Sequence, residues 1–172
     1  DIVHAGMDQR KIHMLVREIF PKMKWKVPVA VHHRLLPGLT QPKNESAIEP
    51  GKMSKSDPNS GIFIHNTDDE IRNKIKKGWC DEANVDGNPV LEIAKHVIFH
   101  EFNSINIERP EKFGGNITYE NYQELESDFA EKKLHPGDLK QTVGEYLVKI
   151  ISPIREKLSI TDELLELIKS SN

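Results

Sequence analysis

The sequence has a single cysteine, Cys80, among its 172 residues. One thiol can form neither an intrachain disulfide nor a four-cysteine zinc site, and a reducing compartment suits such a chain. No apolar run approaches the roughly 18 residues that a membrane helix needs, and the first residues lack the pattern of a secretory signal. We therefore expect a cytoplasmic protein and no membrane partner.

The chain also lacks a strong excess of charge of one sign. Its formal net charge is -3, and 37% of its residues are hydrophobic, which is enough to build a core. Taken whole, this charge is not typical of a nucleic-acid binder, so local patches matter more. Lysines cluster at 22–26 and 74–77. Both solvated helix faces and RNA contacts would explain these clusters.

The first third of the chain has the pattern of a parallel α/β fold. Residues 2–6 are typical of a buried strand that ends at a glycine, and β-branched residues recur at 27–32. Between them, apolar residues at helical spacing predict a helix over 9–19, which Pro21 ends. A strand, a helix and a strand in this order predict a βαβ unit.

The rest of the chain changes in character. Polar residues dominate 40–60, and a short strand is possible at 62–64. Helical periodicity then predicts an entirely helical segment from about residue 67, with Pro153 expected to kink or split one long helix. The predicted helices are 68–79, 88–100, 122–132, 138–158 and 161–170. The fold class is therefore α/β over 1–66, followed by an all-α part over 67–172.

Residues 51–60 form a loop with a basic character. Lys52 and Lys55 are spaced three residues apart, with Met53 and the hydroxyls of Ser54 and Ser56 beside them. Ammonium groups, hydroxyls and backbone N–H groups on one loop can bind the phosphates of a polyanion. A solvated surface loop is the alternative for a lone pair of lysines. We refer to residues 51–57 as the lysine loop.

Three polar or small residues follow the first predicted strand. Gly6 permits a close approach, Asp8 can accept hydrogen bonds from ribose hydroxyls, and Gln9 can contact a polar substrate group. Open parallel sheets bind ligands at the carboxyl ends of their strands. A helix N-cap would also explain Asp8 without any ligand.

The second predicted strand ends in two adjacent histidines. His32 and His33 point to opposite faces of a strand, so we predict no metal site there. The position instead suits a segment that lines a nucleotide, with His32 and Leu39 among the contacts. His13, on the first helix, is more typical of a core or interface residue than of a catalytic base.

Two flat rings lie on predicted loops in the helical segment. Phe113 precedes Gly114 and Gly115, and His135 precedes Pro136 and Asp138. A purely structural role, in turns and at the start of a helix, would also explain these residues. Rings on loops are also where single-stranded RNA bases stack, and Asp138 could accept hydrogen bonds from a guanine.

Assembled in order, these segments resemble the archaeal and eukaryotic tyrosyl-tRNA synthetases, which are class I aminoacyl-tRNA synthetases. The resemblance rests on four segments, which are residues 6–14, 51–56, 109–115 and 134–140. The last two separate the chain from the tryptophan enzymes, which share the first two. The resemblance implies that Lys52 and Lys55 hold ATP phosphates and are catalytic. It implies the other contacts as well: ribose at Gly6 and Asp8, the substrate amino group at Gln9, and the first anticodon base, a guanine, at Phe113, His135 and Asp138.

The resemblance implies a whole enzyme that joins L-tyrosine to tRNA(Tyr) with ATP. Mg²⁺ would arrive with ATP rather than at a site of its own, and a homodimer is expected. Residues 1–66 would be the second half of a Rossmann-like catalytic domain, and 67–172 an anticodon-binding domain. The upstream half, with its ATP motif and phenol-binding residues, is expected outside this sequence. A tryptophanyl enzyme and an inactive RNA-binding fragment remain alternatives.

Overall fold

A computed structural model describes residues 1–41, 51, 53, 57–158, 164, 166 and 167. The chain divides into two compact units, Asp1–Leu36 and Pro37–Asn172, and each is described separately. Among the described residues, no helix is both long enough and apolar enough to cross a membrane.

The first unit is a parallel βαβ unit, as the sequence predicts. It consists of β1 (Ile2–Gly6), a 3₁₀ turn (Met7–Gln9), α1 (Arg10–Ile19) and β2 (Val29–His33). The two strands pair in parallel, with Ile2 opposite Val29 and Gly6 opposite His33. Their carboxyl ends therefore lie side by side, which is where open parallel sheets bind ligands.

The second unit begins its helical part with α2 (Asp68–Lys77). Thr67 accepts a hydrogen bond from the Glu70 amide, and Glu70 accepts one from the Thr67 amide, which completes a capping box. Asn88 then caps α3 (Pro89–Ile93), which continues through a π-helical turn (Ala94–Ile98) into α4 (Phe99–Glu101). The predicted helices at 68 and 88 therefore begin where their capping residues stand.

The prediction of an entirely helical second segment needs one correction. β3 (Ile105–Ile107) and β4 (Ile117–Tyr119) form a short antiparallel pair. Ile105 and Ile107 are both buried, so tertiary packing stabilises strands that are too short to show alternation in the sequence. The strand considered at 62–64 does not form; these residues belong to an irregular segment.

Two further helices complete the described part of this unit. α5 (Tyr122–Ala130) is capped by Asn121, and α6 (Pro136–Lys157) runs through Pro153 without splitting. α6 packs along α2, where Arg72 binds Glu145 through two hydrogen bonds of 2.8 and 3.1 Å. Most of the helix predicted over 161–170 lies outside the described residues.

The compact units do not divide at the predicted boundary of 66 and 67. The backbone amide of Leu39 donates to Ser60, and its carbonyl accepts from Trp79, at 2.9 and 2.7 Å. The Leu39 side chain is buried in the core that α2 and α6 share. Residues 37–41 and 57–66 thus fold onto the helices, and the functional boundary at 66 stays a prediction.

Candidate functional site

The first cluster of predicted site residues lies at the carboxyl end of β1. Gly6 ends the strand, and Asp8 and Gln9 are exposed on the 3₁₀ turn that follows it. A Cβ atom at position 6 would stand 2.6 Å from the Leu35 side chain and 2.7 Å from the Asp8 carboxylate. Only glycine fits this position without a shift, and the fit keeps the carboxylate close to the strand end.

The hydrogen bonds of the 3₁₀ turn and of α1 show whether Asp8 is a helix N-cap, which was the alternative to a ligand contact. The N-cap of the 3₁₀ turn is Gly6 and that of α1 is Gln9, and neither cap is closed by a side-chain hydrogen bond. Asp8 is therefore not the capping residue of either helix. Gln9 Nε2 donates to Asp8 Oδ2 at 3.3 Å, so the amide and the carboxylate form one polar group at the strand end.

His32 has a partner inside the first unit. Its Nε2 lies 2.9 Å from His13 Nδ1 on α1, so one of the two rings donates to the other. Burial, His13 and Arg10 lower the pKa of His32. This pair connects β2 to α1. The nucleotide contact predicted for His32 stays a prediction. Since His13 already engages Nε2 of His32, another part of the His32 residue would have to make that contact.

The described residues of the lysine loop contact other segments of the second unit. Lys52, Ser54, Lys55 and Ser56 lie outside the described residues, whereas Gly51 and Met53 lie within them. The Gly38 amide donates to the Gly51 carbonyl, and Met53 packs against the core. After the loop, the Ser60 amide and hydroxyl both donate to the carbonyl of Asp57, at 2.9 and 2.7 Å, which forms a tight turn.

Leu39 has neither an exposed side chain nor a free backbone polar group to offer to a ligand. Its side chain is only 2% exposed, and both of its backbone polar groups are hydrogen-bonded within the chain. We interpret Leu39 as an anchor of the segment that faces the lysine loop. The adenine contact predicted for it stays a prediction.

One residue that sequence reasoning missed lies next to this segment. Lys74 Nζ donates to the Gly61 carbonyl at 3.0 Å and to Asn66 Oδ1 at 2.9 Å. The same ammonium group lies 4.7 Å from the centre of the Phe63 ring. Helical spacing could have indicated that Lys74 is not fully solvated. It places Lys74 on the side of α2 that carries the buried Ile71 and Ile75 rather than on the opposite side.

Phe113 is presented to solvent by a tight turn. It ends a 3₁₀ turn (Glu111–Phe113), and Gly114 follows with a φ of 94°, which other residues adopt only with strain. The ring is 60% exposed, with Lys112 Nζ 4.8 Å from its centre. The ammonium lies over the ring, so a stacked base would share the exposed ring with this cation or displace it.

His135 and Asp138 lie at the start of α6. His135 is the N-cap, and its Nδ1 accepts a hydrogen bond of 3.0 Å from the Gly137 amide. A neutral His135 ring must therefore carry its proton on Nε2, which leaves a donor on its outer edge. Asp138 stands in the first helical turn, where the helix dipole favours a carboxylate.

Arg109 connects the segments that carry Phe113 and His135. Its guanidinium donates to the carbonyl of Gly115 and to that of Lys133, both at 3.0 Å, and its amide donates to Asn116 Oδ1. Lys133 precedes His135 by two residues. In the sequence, Arg109 is visible only as part of the segment 109–115, because nothing in the spacing of residues indicates these two carbonyl contacts.

A second set of contacts supports the same region. Tyr119 on β4 donates its hydroxyl to Asp128 Oδ2 at 3.0 Å, and the amides of Lys133 and Leu134 donate to the Asp128 carbonyl. Burial and the Asp128 carboxylate raise the pKa of Tyr119 well above its ordinary value. The hydroxyl therefore stays protonated and keeps donating, which fixes the chain just before His135.

Comparison with known proteins assigns the chain to a family. The profile described as tRNA synthetases class I (W and Y) matches residues 1–152. The chain belongs to this family. The tyrosine–tRNA ligase of Thermococcus sibiricus is 47% identical over 99% of this chain, and that of Pyrococcus abyssi 45% identical over 98%. Each match covers 50% of the relative.

Solved structures agree with this assignment. The tyrosyl-tRNA synthetase of Pyrococcus horikoshii, solved with L-tyrosine, has a TM-score of 0.87 and 42% identity, over 98% of this chain and 51% of that one. That of Leishmania major, solved with tyrosinol, has a TM-score of 0.73 and 30% identity, over 99% of this chain and 33% of that one. The α/β fold class and the resemblance stated from the sequence are thereby confirmed, with the strand pair β3–β4 as the correction to the all-α second part. This class I synthetase chain spans about half the length of the curated relatives it matches.

Proposed function

We propose that the chain is part of a tyrosine–tRNA ligase, which activates L-tyrosine with ATP and transfers it to tRNA(Tyr). The observation that carries the proposal is the likeness to tyrosine–tRNA ligases along 98–99% of this chain. The likeness extends over Phe113, His135 and Asp138, which sequence reasoning used to separate tyrosine from tryptophan enzymes. The functional division at residue 66 belongs to this proposal.

In the first unit, Gly6 and Asp8 would hold the ribose of ATP, and Gln9 the amino group of tyrosine. A carboxylate and an amide at the end of a parallel strand have the required acceptors and donors. The close packing at position 6 supports the assignment, because Leu35 and the Asp8 carboxylate leave no space there for a side chain larger than that of glycine. The His32 contact with the nucleotide is the least supported, since His13 already engages one of its ring nitrogens.

In the second unit, Lys52 and Lys55 would hold the phosphates of ATP, together with the hydroxyls of Ser54 and Ser56. The tyrosine carboxylate would attack the α-phosphorus as the bond to the bridging oxygen breaks and pyrophosphate leaves, and Mg²⁺ arriving with ATP would supply further positive charge. Cations near those oxygens stabilise the charge that develops on them in the transition state. The remaining contribution is positioning, because no covalent enzyme intermediate is needed.

Transfer then requires the tRNA. A hydroxyl of the terminal ribose attacks the carbonyl carbon of tyrosyl-adenylate, and AMP leaves. Phe113 and His135 would stack against the first anticodon base, while Asp138 accepts from the N1 and N2 donors of a guanine. The exposed Phe113 ring and the outward Nε2 of His135 support this role. A homodimer and a cytoplasmic location complete the proposal.

Pyrophosphate exchange by the full-length protein tests this function. Labelled pyrophosphate should enter ATP in the presence of tyrosine and not of tryptophan, and tRNA(Tyr) should then be charged. Exchange that depends on tryptophan would replace the proposal with the tryptophanyl enzyme. Binding of tRNA without any exchange would favour an RNA-binding protein instead.

A further inference from the structure

The segment that follows the lysine loop is fastened to α2 by the half-buried ammonium group of Lys74. Gly61 is buried, and its carbonyl accepts a hydrogen bond from Lys74 Nζ at 3.0 Å. Asn66, which is 5% exposed, accepts a second one at 2.9 Å. We call Gly61, Asn66 and Lys74 the loop clamp. It closes the irregular segment 61–66 onto the helix at both of its ends.

Other contacts hold Asn66 itself in a single orientation. Its Oδ1 also accepts from the Phe63 amide at 2.9 Å, and its Nδ2 donates to Glu70 at 3.2 Å. The Asn66 carbonyl accepts from Arg155 on α6. Every polar group of the Asn66 side chain is thereby engaged, so the amide presents its oxygen to Lys74 in a fixed position.

The clamp acts on the lysine loop through direct packing. A Cβ atom at position 61 would lie 3.1 Å from Met53 Cβ, so Met53, inside the loop, rests directly on the backbone of Gly61. The neighbouring Ser60 carbonyl accepts from Leu39, and Gly51 is bonded to Gly38. Gly51 and Ser60 are therefore bonded to the adjacent residues Gly38 and Leu39, and Ser60 directly precedes the carbonyl that Lys74 holds.

We propose that Lys74 is a positioning residue for ATP: it fixes the backbone at Gly61, on which Met53 of the lysine loop packs. The inference rests on the proposed function, in which that loop binds the phosphates. Lys74 touches no substrate and acts through Gly61 and Asn66. Burial lowers the pKa of Lys74, and the Glu70 carboxylate partly offsets this effect.

The test uses Lys74→Met in the full-length enzyme, because methionine keeps the apolar stem and removes the donors. In tyrosine-dependent pyrophosphate exchange, kcat/KM for ATP should fall about 10- to 100-fold, which is the cost of a small misplacement. The KM for tyrosine should stay unchanged. Lys76→Met, an exposed lysine on the same helix, is the matched control and should behave as wild type. Lys74→Arg should recover part of the loss.

A double-mutant cycle separates positioning from a general loss of structure. If Lys74 acts through the loop, Lys74→Met should cost less than about threefold once Lys55 is already alanine. Equal losses in both backgrounds, or a parallel rise in the KM for tyrosine, would overturn the inference. If Lys74→Met does not fold, Asn66→Ala removes the other half of the clamp and should give the same pattern.

The outcomes also distinguish this inference from the function on which it rests. If Lys55→Ala alone leaves exchange unchanged, the proposed role of the loop is wrong. If Lys55→Ala slows exchange while Lys74→Met does not, the loop keeps its role and only the positioning role of Lys74 is rejected.

Discussion

Arg109 and Lys133 are joined by a hydrogen bond of 3.0 Å from the guanidinium to the backbone carbonyl. The bond ties the turn that presents Phe113 to the residues just before His135. Two rings that stack on one base must be held at a fixed distance and orientation relative to each other. A planar guanidinium bonded to two backbone carbonyls provides such a constraint. Arg109 would therefore contribute to anticodon binding without touching the base.

We predict that Arg109→Ala raises the KM for tRNA about tenfold, because the two ring segments lose their shared donor. Tyrosine activation in the absence of tRNA should be unaffected. Arg109→Lys should not rescue the defect, since one ammonium cannot reproduce the fork of the guanidinium. Aminoacylation kinetics and pyrophosphate exchange on the same preparations measure both effects. An unchanged KM for tRNA would contradict the assigned connection.

Lys52→Ala and Lys55→Ala should each slow tyrosine activation in the full-length enzyme. Each lost contact should cost about 3 kcal/mol in the transition state, by analogy with the loss of one oxyanion donor. The dissociation constant of tyrosine should remain nearly unchanged, because the phosphate charge develops only during the reaction. Single-turnover activation with a separate tyrosine titration makes the measurement. A weaker tyrosine affinity at an unchanged rate would contradict the role.

Acid should weaken the contacts between α2 and α6. The Arg72 hydrogen bonds lower the pKa of Glu145, and the Ser152 hydroxyl and Arg155 lower that of Asp68. Since the folded pKa of each is depressed, its stabilisation is complete above the ordinary values, 4.5 and 3.8. It is lost as the pH falls through the depressed values.

Glu145→Gln tests this pH dependence. At pH 7 it should lower the free energy of unfolding more than Glu156→Gln, which changes an exposed glutamate on the same helix. The difference between the two variants should shrink as the pH falls below 4.5, because the unfolded chain then binds a proton at Glu145 more readily than the folded protein, in which the pKa of Glu145 is lowered. Urea unfolding at several pH values provides the comparison, and a difference independent of pH would contradict the assignment.

Local sequence patterns predicted the strands and the helix of the first unit. Elements that depend on contacts between distant residues were not predicted. β1, α1 and β2 follow from periodicities carried by neighbouring residues. β3 and β4 have three residues each and depend on packing, including a hydrogen bond from the Asn106 amide to the Tyr146 hydroxyl, 40 residues away. No local pattern encodes such a partner.

The candidate sites divide in the same way. The positions of Gly6, Asp8 and Gln9 at the end of a strand could be predicted from the strand pattern, and that of Phe113 from the two glycines after it, whereas their roles stay predictions. Lys74 and Arg109 could not, since their acceptors are backbone carbonyls whose position depends on the folded loops. A carbonyl is present at every residue, so its use leaves no trace in the sequence.

Phe113→Ala should weaken the use of tRNA by about 10- to 100-fold, because stacking contributes roughly 1–3 kcal/mol per base. Pyrophosphate exchange without tRNA should be unaffected. Ile154→Ala, which shortens an exposed apolar side chain on α6, is a suitable control and should leave charging unchanged. Equal charging by Phe113→Ala and wild-type enzyme would exclude the ring from the anticodon site.

Asp138→Ala should act on selectivity more than on affinity. A carboxylate that accepts from N1 and N2 favours guanine over the other bases, and a lost base contact removes discrimination. The other contacts of the tRNA would remain, so charging of tRNA with guanine at the first anticodon position should fall only modestly, and its advantage over tRNAs with the other three bases should shrink. Transcripts carrying each of the four bases at that position measure the preference. If Asp138→Ala retains the full preference for guanine, the helical segment must position the tRNA by its shape and backbone, and the stacked rings would then serve affinity alone.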